Sequence, residues 1–126
     1  MKRFAAASML LIAALLFGTV AFAKVQPKAP AAAAAVSGEI VDLSCYLGHG
    51  AKGAAHKECA ASCIANGGPM GLLTPSGTLY VLTMNHEKQD AFNQAKKYAG
   101  DKVKITGPTS TKNGTRALQV DAVATT

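Results

Sequence analysis

The chain has 126 residues, with 13 Lys+Arg against 7 Asp+Glu, three cysteines, three Tyr, four Phe and no Trp. That length suits one small domain and excludes a multi-domain assembly or a large cofactor-clasping enzyme. The net charge is +6, a basic balance that draws a small domain only weakly to anionic surfaces; so few aromatic side chains offer no stacking platform for single strands, and nucleic acid is not an expected partner.

The first 23 residues, MKRFAAASMLLIAALLFGTVAFA, have the form of a signal peptide. Lys2 and Arg3 give a positive start, Met9 to Phe17 an apolar run, and Ala21-Phe22-Ala23 a small-x-small cleavage site. A membrane anchor is the competing reading, but the run is broken at Gly18 and Thr19, short of the ~20 apolar residues that a span needs. No cysteine follows the cleavage site, so no lipid anchor is expected. These features predict a periplasmic or secreted protein with no membrane span after cleavage. Cleavage would leave 103 residues with 11 basic and 7 acidic side chains. Residues 24–36, KVQPKAPAAAAAV, read as an Ala/Pro-rich tether without chemistry.

Residues 37–126 carry the pattern of a packed domain. GEIVDLSCYL (38–47) reads as a first strand, with Val41, Leu43 and Cys45 on one face. A Gly-rich loop (47–54) follows, and HKECAASCIAN predicts a short helix over 55–66, stopped by Gly67-Gly68-Pro69. MGLLT (70–74) and TLYVLTM (78–84) flank Pro75-Ser76-Gly77 as a hairpin. Ala91, Phe92, Ala95, Tyr98 and Ala99 form one helical stripe closed by Gly100, with Asn85 expected as the cap. KVKITG (102–107) alternates, with Val103 and Ile105 together. TRALQVDAV (115–123) alternates with Leu118, Val120 and Ala122 together. Asn113-Gly114 marks the turn between these two strands.

The order is strand, loop-helix, strand, strand, helix, strand, strand. The expected fold is mainly β with two helices, a five-stranded OB-like barrel, with a small α+β sheet as the alternative. DKVKITGPTSTKNGTRALQVDAVA resembles the last two strands of small exported bacterial OB-fold proteins, and SGEIVDL resembles their first strand. The resemblance implies a closed barrel over most of 37–124. The Cys/His insert at 45–68 departs from a generic OB domain, so generic OB functions are not carried over.

That insert holds all three cysteines and two of the three histidines within 19 residues: Cys45, His49, His56, Cys59 and Cys63. On a helix, His56, Cys59 and Cys63 project within roughly a 60° arc. With Cys45 they form a Cys3His set, a known tetrahedral zinc ligand set whose thiolates also suit copper(I). His49 is read as a loop residue or an additional ligand. A larger copper site would recruit Met70, Met84 and His86, which otherwise fill core or begin a helix. The spacing lacks C-x2-C, and without C-x-x-C-H no haem attachment is expected.

Export leaves a disulfide open as the competing reading. Cys45 with Cys59 or Cys63 would staple the insert and leave one spare thiol, making a binding module for an exported protein or small ligand. Cys59 and Cys63, at i and i+4, are the pair least suited to a bridge. No serine-hydrolase, phosphate-loop or metalloprotease motif is present, so binding or sequestration of a metal ion is expected rather than catalysis; thiol redox activity is the minor alternative.

Overall fold

The computed structural model describes residues 32–126. The expected signal peptide and residues 24–31 of the expected tether lie outside the described residues. The first strand, β1, runs Ala33–Asp42, so the last four residues of the stretch read as a tether belong to the domain. Short α1 (Leu43–His49) follows at once, then a 3-10 turn (Ala54–His56) and α2 (Lys57–Ala65). β2 (Met70–Leu73) and β3 (Leu79–Met84) form the expected hairpin. α3 (Gln89–Lys96) leads to β4 (Lys102–Lys112), β5 (Thr115–Val120) and β6 (Ala122–Thr125).

Five strands close into a barrel in the order β1-β2-β3-β5-β4, with β4 returning to β1. The pairings are antiparallel except between β3 and β5, where Leu82 lies opposite Leu118 in parallel. Ile105 of β4 lies opposite Val36 of β1, and that pairing seals the ring. Closure leaves the five strands no long free edge, the usual liability of a small sheet. The fold is a mainly β, OB-like barrel carrying three α-helices rather than two.

The interior is apolar. Ile40, Leu72, Val103, Ile105, Leu118 and Val120 have no solvent exposure, and Ala60 and Ile64 of α2 and Ala95 of α3 pack into the same cluster. Ala60 and Ile64 stand at i and i+4, one stripe of α2. The helix therefore serves as a plug on the barrel. Tyr98 and Ala99 lie beyond the end of α3, where the chain bridges back to Ile40. The capping expectation fails at this helix. Asn85 instead accepts from the Glu87 N–H and donates to the Asp121 carboxylate at 2.7 Å, and Lys88 takes the cap position.

The last hairpin departs from simple alternation. Asn113 and Gly114 both adopt positive φ (49° and 81°), the conformation of a tight type I′ turn. From Lys112↔Thr115 to Thr109↔Leu118 the register is constant, but Thr106 then pairs with Ala122. Three residues, 119–121, thus face two on β4, which is a β-bulge. The bulge shifts the phase by one: Ala122 is exposed and Val123 packs on the core, opposite to the sequence reading. Gly107 sits beneath it, and a side chain there would run into the Gln119 carbonyl.

A candidate metal centre on the barrel lid

The first strand ends at Asp42, five residues earlier than the sequence suggests. Pairing of β1 with β2 stops at Asp42↔Met70. At that point the Leu43 N–H turns to the Pro69 carbonyl, and Asp42 becomes a helix cap, its Oδ1 accepting from the Cys45 N–H at 2.8 Å. Cys45 therefore sits on the first turn of α1, not on a strand with Val41 and Leu43. Val41, Leu43 and Leu73 form a separate apolar cluster under α1, against which Tyr46 packs. That cluster fixes α1 on the outside of the barrel.

Cys59 and Cys63 are each one residue before the core residues Ala60 and Ile64. Burying the Ala60/Ile64 stripe turns Cys59 and Cys63, about 100° away on the helix, onto a flanking face. The Sγ atoms of Cys45, Cys59 and Cys63 lie within 4.8 Å of one another. No disulfide joins them. A tetrahedral ion with metal–sulfur bonds of about 2.3 Å would hold its sulfurs roughly 3.8 Å apart. Drawing the thiols together by about 1 Å or less, within reach of side-chain torsions, would meet that geometry. Cys59 is exposed, while Cys45 and Cys63 are half-buried, so an ion could enter from the Cys59 side.

Two of the thiols, Cys45 and Cys63, hold their protons tightly in the metal-free chain. Burial pushes Cys45 up to about 11, and the hydrogen bond to the Asp42 carboxyl and its negative charge act in the same direction. Burial also raises Cys63, with the Cys59 hydrogen bond and charge adding to it and a hydrogen bond with Cys45 opposing it. Burial thus favours the neutral form of Cys45 and Cys63 until a cation replaces their protons.

The histidines stand outside the converging group. His56 ends the 3-10 turn and precedes α2 rather than lying on it, so the helical arc does not extend to it. Its ring meets that of His49 edge-to-face, with centroids 6.2 Å apart, and its Nε2 is buried without a hydrogen-bond partner. Met70 is core, and His86 is exposed near α3. Glu58, beside the cluster in sequence, is solvated.

Asp42 is the site residue that sequence reasoning missed. It is the buried charged side chain of the described residues, 1% exposed. Its signal was present as D-L-S-C, an Asp three residues before a cysteine at a helix start, but a strand reading of 38–47 concealed the cap.

Among the described residues no helix is long and apolar enough to cross a membrane. Compared with known proteins, the chain matches no family model, no curated protein and no solved structure.

Proposed function

We propose that this protein is an exported metal-binding domain of bacterial OB-like type, holding zinc or copper(I) through Cys45, Cys59 and Cys63 and acting by sequestration rather than catalysis. The observation that carries the reading is the convergence of three free thiols from two separate helices to within 4.8 Å. Thiolates are soft donors suited to both ions. Binding exchanges thiol protons for the ion, so up to three protons leave per metal. The upward shift of Cys45 and Cys63 favours this over a thiol oxidoreductase, which needs a thiol with a depressed pKa. The signal-like residues 1–23 support export to the periplasm or beyond.

Elemental analysis of the protein isolated from its own compartment, paired with intact mass, tests the reading. One zinc or copper per chain and a mass lacking 23 residues are expected, and Cys59→Ser should abolish the metal. Metal-free protein carrying a disulfide would overturn the reading in favour of the stapled binding module.

A further inference from the structure

Three thiols leave a zinc-like ion one donor short, and a second feature lies beside them that the capping role of Asp42 does not use. Among the described residues two buried side-chain polar atoms lack a hydrogen-bond partner, Asp42 Oδ2 and His56 Nε2. The first belongs to a carboxyl group that touches the Cys45 thiol and acts electrostatically on Cys63 as well. An unsatisfied carboxyl oxygen in a buried setting is costly and calls for a partner. Its surroundings keep room on that side. A Cβ at Gly68 would come within 3.1 Å of Oδ2 and 2.7 Å of the Cys63 carbonyl oxygen, so a side chain there would press on both Asp42 and the end of α2.

We propose that Asp42 Oδ2 is the fourth ligand of a Cys3Asp centre, and that this carboxylate selects a divalent ion of zinc type over copper(I). The proposal rests on the thiol-site reading above. One carboxyl group then has two tasks. Oδ1 caps α1 and so sets Cys45 in place, while Oδ2, which lies outside the 4.8 Å thiol group of the metal-free chain, would move in to complete the shell as the ion binds. Copper(I) is satisfied by a soft thiolate set alone, whereas a harder oxygen and a fourth negative charge suit a divalent cation in a tetrahedral shell.

The test is Asp42→Asn in the purified, reduced chain, with Co2+ and Cu+ as probes. Asparagine retains an oxygen for the Cys45 N–H, because Asn and Asp cap helices equally well. Co2+ affinity is expected to fall at least 10-fold and its tetrahedral thiolate absorption to change in shape and intensity, while Cu+ affinity, measured by competition with a chelator, stays within threefold. An unchanged Co2+ spectrum and affinity would overturn the proposal, as would an equal loss for both ions, which would mark Asp42 as a cap alone. Should the variant fail to fold, the wild-type chain labelled with 13C at the aspartate carboxyls decides the matter. One carboxyl resonance is expected to move on zinc addition, and four unmoved resonances would refute the assignment. A wild-type chain that binds neither ion would overturn the three-thiol reading and this proposal together.

Discussion

The barrel and its helical insert are built on opposite principles. Every strand of the barrel is paired on both sides within the ring, and its interior side chains are sealed from water. The insert has two helices of 7 and 9 residues, below the length at which an isolated helix holds in water. Their buried apolar residues are Leu43, Ala60 and Ile64. The insert is therefore held by what it touches: the Asp42 cap, the Leu43 and Ala60/Ile64 contacts, and the loop before the 3-10 turn, where the Gly53 N–H donates to Glu39. The lesson is a division of labour. The barrel supplies stability, and the insert spends little apolar surface and leaves the Cys59 thiol exposed.

Damage confined to the barrel should lower stability and leave the site chemistry intact. Leu118→Ala empties a fully buried position and should cost about 2–5 kcal/mol in denaturant unfolding, with Co2+ affinity of the folded fraction unchanged. The converse variant is Cys63→Ser. Zinc at about 100 times its dissociation constant should stabilise the wild type by about 2.7 kcal/mol, with slowed amide exchange in α1 and α2. The Cys63→Ser protein should lose that increment and show the same melting as the metal-free wild type.

Gly107→Ala probes the barrel where its register slips. The new methyl would meet the Gln119 carbonyl, and overpacking of this kind costs about 1–3 kcal/mol. The loss should appear in unfolding and leave metal content at the wild-type level. The smallest effect should come from acid. Asp121 is held below the usual carboxylate range by its hydrogen bond from Asn85, with Lys88 adding to it and burial opposing. A depressed folded pKa means that its contribution is complete above the ordinary value of 3.8 and disappears as pH falls through the folded value. Asp121→Asn should remove that acid-sensitive part, about 1 kcal/mol, visible as a flatter stability profile below pH ~4.

Local pattern made the barrel legible. Val103 and Ile105 alternate into the core and Asn113-Gly114 adopts its turn because both depend on neighbours a few residues apart. The crowding of Cys45, Cys59 and Cys63 in the insert was legible for the same reason. Their mutual distance was not, and the route proposed from sequence was mistaken in part. A β-branched run carries no mark of where its pairing partner ends, so Cys45 was placed on a strand that stops at Asp42. His56 was placed on the helical arc, although it lies in the turn before it. Ala122 was placed inward, since a bulge is a property of two strands and not of one.

The chain alone thus determined the order of the five barrel strands with α2 and α3 between them, the thiol-rich composition of the insert and most of the apolar faces that close the barrel, all of which follow from periodicity and spacing. Tertiary structure alone decided which side chains meet. The end of β1–β2 pairing turns Asp42 into a cap, that cap sets Cys45, and burial of Ala60 and Ile64 rotates Cys59 and Cys63 toward it. Those contacts join residues from separate elements, and only the closed barrel fixes the distance between them.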